Sequence, residues 1–338
     1  MSRRALWLGV FAFAVAAALA PIPAAFVEHW YSRTFFPPLQ HVLTGVTNLA
    51  PFALFDVLWV GAIAGTAVVL RRRVREHGWK RGLLRVAGGL ARGAAVVYLV
   101  FLVTWGFNYR RVPMFEKVAF DPDRVTQAAD SALGAMTARE LNATYAAAHA
   151  RPVSLDPLAA SFQDTLRALG GSPITLGRPK QTWLGWYFHQ TSIAGMTNPF
   201  LLETLTAPDL LDVERPFVIA HEWAHLAGYA DESEANFVAY VACRHADAAA
   251  RYSAALAIIA YTHPGDPRRV LDLGPRIDIF AINQRYARTS GALRFAAKEG
   301  YDKYLKANRV ERGIESYDAV VQLILGTSFD ERGIPILK

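Results

Sequence analysis

The chain has 338 residues, 53% of them hydrophobic, with a formal net charge of +7 and one cysteine. That hydrophobic share is high for a purely soluble protein, and a lone cysteine excludes a fold stapled by internal disulfides. The charge is not a nucleic-acid footprint: residues 1–107 hold eleven Lys or Arg against three Asp or Glu, and residues 108–338 hold 25 against 26, so no basic face is left for a polyanion.

Residues 5–27 form an uncharged run of 23 residues behind Arg3 and Arg4, long enough to cross about 30 Å of hydrocarbon. The competing expectation is a signal peptide cleaved between Ala18 and Ala25, against which Pro21 and Pro23 make an unusual cleavage site. Residues 28–50 are mixed, with Trp30, Tyr31 and the Pro37–Pro38 pair, and suit the outer interface. A second span is expected over residues 51–70, with Asp56 inside it near the outer end, where a structural role is favoured over a proton relay. The stretch from Arg71 to Arg85 carries seven Lys or Arg and one acid, Glu76, which makes it cytoplasmic by the positive-inside rule. A third span follows over residues 86–107, with Arg92 able to snorkel and Trp105 and Tyr109 at the outer end. Three spans starting inside leave a domain of residues 108–338 outside the membrane.

That domain should be mainly α. Asp121–Pro122 has the form of a helix start, and Ala-rich helices are expected to about Ala150 and from Leu155 to Leu169. Gly170, Gly171, Pro173, Gly177 and Pro179 punctuate a loop. Trp183, Trp186, Tyr187 and Phe188 form either an apolar wall near the membrane or core aromatics. His189 alone carries no chemistry, and an extended edge is expected over Ile193 to Phe200, ending at Asn198–Pro199.

The stretch from Phe217 to Tyr240, FVIAHEWAHLAGYADESEANFVAY, carries the chemistry. On a helix His221 and His225 lie one turn apart on one face, so both imidazoles reach one ion while Glu222 is offset by about 100° toward the water that ion holds. Pro216 suits a first helical turn, and Gly228 suits the positive φ of a helix end. Histidines in so apolar a helix need polar partners, and a metal supplies one. A catalytic zinc takes three protein ligands and leaves one position open. Asp231, Glu232 and Glu234 compete for the third. Asp231 and Glu234 also suit a helix first turn as caps. Glu232 is preferred, because Asn236 lies one turn on and can orient a ligating His. Glu-x-x-Ala-Asn is similar to the gluzincin pattern with Asn for Asp, whereas Asp231 would complete a metzincin-like spacing. Cys243 sits among apolar neighbours as an inert buried thiol.

Further helices are expected over Ala246 to Ala260, Leu273 to Ala287, Leu293 to Asn308 and Ser316 to Leu325, separated first by the break at His263–Pro267. Tyr286, Tyr301, Tyr304 and Tyr317 are available to stabilise an oxyanion, and spacing selects none of them.

The HE-x-A-H-x-x-G motif, the E-x-E-A-N-F segment after it, Gly-x-x-Asn-Pro-Phe at Gly195 to Phe200, and YDKYLKAN…GIESYDAVVQLIL from Tyr301 to Leu325 together resemble the bacterial DUF3810 family. The resemblance covers the spans and the outer domain. It implies a zincin-like domain with a small edge-strand element behind three transmembrane helices, and a Zn²⁺ site at the cytoplasmic membrane of a bacterium. It implies no substrate. The expected function is a membrane-anchored zinc metallopeptidase with Glu222 as base and His221, His225 and Glu232 as ligands. The alternatives are a zinc amidase acting on cell-wall or other non-peptide amides, and a binding or sensor module with a vestigial metal. The partners expected are the lipid bilayer and a peptide or protein substrate.

Overall fold

The structure is a computed structural model that describes residues 3–263, 266–308 and 319–338. It is mainly helical. Helix α1 (Arg3–Leu19) ends before Pro21 and Pro23, and the chain resumes at 107° as α2 (Ala24–Asn48), whose Val27–Phe35 segment is wound as a π-helix. Hence the continuous span expected over 5–27 is replaced by a 17-residue helix and a bend, the two prolines supplying the break.

Helices α3 (Leu54–His77) and α4 (Trp79–Thr104) are each long and apolar enough to cross a membrane, and a third span exists if the bent pair counts as one. The basic stretch expected as a loop is helical on both sides of Gly78. At φ 75° that residue alone makes the turn, because glycine carries no Cβ penalty in the left-handed region.

Residues 24–48 do more than lie at an interface. Phe36 belongs to the main core, the Gln40 amide exchanges hydrogen bonds with Thr175 N and O, and Thr44 Oγ1 donates to Leu202 O over 2.9 Å. Asn48 does the same for Leu176 O and Arg178 N. A boundary near residue 107 is therefore crossed by many direct bonds.

Downstream come α5 (Gln127–His149), α6 (Asp156–Ala168) and α7 (Gly185–Thr191), then α8 (Arg215–Leu226), α9 (Glu232–Arg244) and α10 (Ala248–Ile259). Helices α11 (Leu273–Ala287), α12 (Gly291–Ala307) and α13 (Ala319–Gly326) follow. Asp121 caps only a single 3-10 turn, so α5 begins at Gln127 behind the side-chain cap of Thr126. The expected helix from Ser316 begins outside the described residues, as does Tyr317.

The small sheet has the order β1-β3-β2, with β1 (Lys180–Gln181) parallel and β2 (Gly195–Thr197) antiparallel to β3 (Thr204–Thr206). This puts β2 at an edge and within the expected Ile193–Phe200 segment. The core is built on α8 and α9, which pack on each other and receive α6, α10 and α13 along with the C-terminal end of α4.

Two reciprocal caps fasten the sheet region to α3. Glu203, fully buried just before β3, accepts from Leu54 N (3.0 Å) and Phe55 N (2.9 Å) in the first turn of α3 and pairs with Lys180 Nζ at 2.8 Å. In the other direction, Asp56 accepts from Trp183 N (2.8 Å), Thr182 Oγ1 and Trp59 Nε1. The two free N–H groups at the start of a helix need such acceptors when they are shielded from water. Asp56 thus has a structural role.

Candidate metal centre

Helix α8 starts with Pro216 in its first turn, and Phe217 N donates to Ser253 Oγ. It stops at Gly228, φ 83°, where Gly228 N bonds His225 O and Tyr229 N bonds Ala224 O. This is a Schellman ending, which glycine at that position permits. Arg111 clamps the same turn, its Nη1 donating to Gly228 O at 2.9 Å while Nε and Nη2 grip the buried Glu28 of α2.

Along α8 the i,i+4 spacing stacks the two imidazoles with ring centroids 4.6 Å apart. His221 Nδ1 meets Asn236 Oδ1 at 2.8 Å, and His225 Nδ1 meets the Tyr229 carbonyl at 2.7 Å. Both Nδ1 atoms therefore donate, and the two Nε2 atoms turn toward each other at 3.1 Å. Glu232, the first residue of α9, brings Oε2 to 3.1 Å from His221 Nε2 and 3.5 Å from His225 Nε2. That oxygen is buried without a hydrogen-bond partner, while Oε1 accepts from the Tyr301 hydroxyl. Among the described residues, these three form the one group of His, Cys, Asp and Glu able to share an ion, with ligand atoms within 4.8 Å of one another.

The other two acids are engaged elsewhere. Asp231 is the N-cap of α9, accepting from Ser233 N (2.9 Å) and Glu234 N (3.3 Å). Glu234 is turned to Met114 N at 2.6 Å, and burial, reinforced by Asp231, pushes its pKa up to about 7.

Glu222 is buried against β2. Its Oε2 lies 2.8 Å from Thr197 Oγ1, whose hydroxyl is also 2.9 Å from the Glu222 carbonyl. Burial raises the pKa of this carboxyl, and the two imidazoles only partly oppose the rise. Gly195 allows the close approach, because a Cβ there would come within 2.6 Å of Glu222 Oε1. Burial also pulls the His225 pKa down, but the negative charge of Glu232, 3.5 Å away, prevails and holds it at about 9. The same pairing keeps Glu232 well below the usual carboxylate range despite its burial.

Two imidazole nitrogens and a carboxylate oxygen facing one point, with that oxygen an orphaned buried acceptor, form a group that can hold a metal ion. A second layer surrounds them. Trp105 Nε1 donates to His225 O at 3.2 Å, and Tyr304 stacks on Tyr301 with centroids 5.8 Å apart. Of the tyrosines named from sequence, Tyr301 and Tyr304 thus reach the site, whereas Tyr286 lies under the Arg285 guanidinium.

Thr197, Gly195 and Trp105 were not singled out as site residues by spacing, since each arrives from a distant segment. Phe188 is core, Trp183 and Trp186 are exposed, and His189 pairs with Asp209 at 2.6 Å. Cys243 is fully buried, and burial pushes its thiol pKa up.

No curated protein and no solved structure matches the chain. The family described as "Protein of unknown function (DUF3810)" matches residues 31–325, and the chain therefore belongs to the DUF3810 family.

Proposed function

We propose that this protein is a membrane-anchored, zinc-dependent hydrolase that cleaves peptide bonds at the outer face of the cytoplasmic membrane of a bacterium. The observation that carries the reading is the convergence of His221 Nε2, His225 Nε2 and Glu232 Oε2 beside the buried carboxyl of Glu222. Two imidazoles and one carboxylate are the protein ligands of catalytic zinc sites that keep a position for water. Zinc held there would supply Lewis acidity toward a carbonyl oxygen and a nucleophile at neutral pH.

The protein's own groups do the rest. Glu222 takes a proton from the attacking water and returns it to the departing amine, a task suited to a carboxyl whose proton affinity burial has raised. Thr197 holds that carboxyl through its hydroxyl, and Gly195 of β2 leaves room for it. Asn236, the Tyr229 carbonyl and Tyr301 fix the orientation of His221, His225 and Glu232 in turn. The edge strand β2 offers unpaired backbone groups to an extended chain, which favours a peptide over other amides. The seven Lys or Arg between Arg71 and Arg85 support, by the positive-inside rule, a reading with that end of the α3–α4 hairpin inside and the site outside.

The test is metal content and turnover of the full-length protein. One zinc per chain is expected in the wild type and in Glu222→Gln, none in His221→Ala or Glu232→Ala, and peptide cleavage in the wild type alone. A wild type that takes up no zinc, or a Glu222→Gln variant that still turns over, overturns the reading. Cleavage confined to peptidoglycan fragments would move it to the cell-wall amidase class.

A further inference from the structure

The candidate metal centre lies against the outer end of a span. Helices α3 and α4 run antiparallel on either side of Gly78, and their far ends, Leu54 and Thr104, are 24 and 26 residues from it. Those two ends therefore stand at nearly one level. About 20 residues at 1.5 Å each cover some 30 Å of hydrocarbon, and the apolar helix α4 ends at Thr104. The next residue is Trp105, whose indole N–H bonds the carbonyl of His225 and whose ring centroid is 6.0 Å from that imidazole. One turn back inside the span, Phe101 lies 6.2 Å from Tyr304, the ring stacked on Tyr301. The candidate ligands are thus one side chain away from the end of the apolar helix α4.

A separate observation agrees. Helix α7 is tied to the outer end of α3 through the Asp56 bond to Trp183 N, and Trp183 and Trp186 each expose 68% of their surface there. Helix α12 packs on α7 and exposes Phe295 to the same extent. Exposed indoles beside a span end suit the membrane interface, where one ring edge is apolar and the other wet.

Resting on the hydrolase reading, we infer that the bond presented to this site belongs to a membrane-tethered polypeptide and lies within about six residues of that polypeptide's outer membrane end. The headgroup layer is roughly 5–7 Å thick, and an extended chain covers about 3.3 Å per residue, so a chain rising from the bilayer passes the ligands within its first few residues. Water adds across the C–N bond, leaving a carboxylate on one fragment and an ammonium on the other, one fragment staying in the bilayer and the other released.

The experiment uses the full-length, zinc-loaded protein in phosphatidylethanolamine–phosphatidylglycerol vesicles. Its substrate is a degenerate 20-residue peptide library fused to a Leu/Ala transmembrane anchor, with the same library free in solution as comparison, and mass spectrometry maps the cuts. Cuts clustered within about six residues of the anchor are expected, at an initial rate at least tenfold above that of the free library, with both lost in Glu222→Gln. Glu222-dependent cuts spread evenly along the tether, or a free library cut as fast, would overturn the membrane-proximal inference while leaving the hydrolase standing. Cleavage of neither library would overturn the hydrolase reading and this inference with it.

Discussion

At the residue scale, His225 is governed by competition for one nitrogen. Glu232 holds a proton on its imidazole up to about pH 9, and an incoming zinc must displace that proton because only the neutral ring ligates. The sign follows directly: below about 9 the proton competes, above it competition ends. Apparent zinc affinity should climb roughly tenfold per pH unit between pH 7 and 9 and then level off. A chelator competition titration checks it, and a flat profile would remove His225 from the ligand set. Gly195 gives a second, independent prediction. Gly195→Ala drives a methyl group into Glu222 Oε1, a side-chain end that can swing away, so the variant should fold and bind one zinc. Its kcat should nonetheless fall by 10²-fold or more, as expected when a general base is displaced. Wild-type kcat in that variant would show that Glu222 is not positioned by β2.

At the scale of elements, the buried Lys180–Glu203 pair joins the sheet region to α3. Glu203→Gln leaves the Lys180 ammonium buried without its countercharge and weakens the cap on Leu54 and Phe55. A loss of about 3–5 kcal/mol is expected, seen as a lower Tm in thermal unfolding of the detergent-solubilised protein. An unchanged Tm would mean that the fastening is dispensable. This pair also marks the limit of what could be read beforehand. The i,i+4 histidines, the helix stop at Gly228 and the capping role of Asp231 are local and stand in the sequence. Glu203 and Leu54 are 149 residues apart, and Tyr301 and Glu232 are 69 apart. No periodicity could have chosen Tyr301 over Tyr286, nor shown that Glu28 reaches across to Arg111. The π-helical Val27–Phe35 segment likewise answers to the core it packs into, since its composition alone suited an interfacial strip.

For the whole molecule, the candidate spans and the domain that follows them share one core. Phe36, Phe101, Leu102 and Trp105 are buried in the same cluster as Ile219, Ala224 and Phe237 of α8 and α9. A fragment comprising residues 110–338 would lose these side chains, the clamp that Glu28 puts on Arg111, and the α3 end of both caps. It should therefore expose apolar surface, aggregate, and bind zinc substoichiometrically, as size-exclusion chromatography with elemental analysis would show. A monomeric fragment with one tightly held zinc would contradict the shared core.

The contact between Trp105 and His225 has a consequence in time as well as in space. The chain is made from its N-terminus, so α3 and α4 are complete before His221, Glu232 and Tyr301 have been synthesised. Trp105 is therefore made before the His225 carbonyl it bonds, and Tyr301 arrives last to donate to Glu232. If the proposed hydrolase reading holds, a copy whose α3–α4 hairpin has not formed lacks this support for His225, and the order of synthesis would itself guard against premature activity.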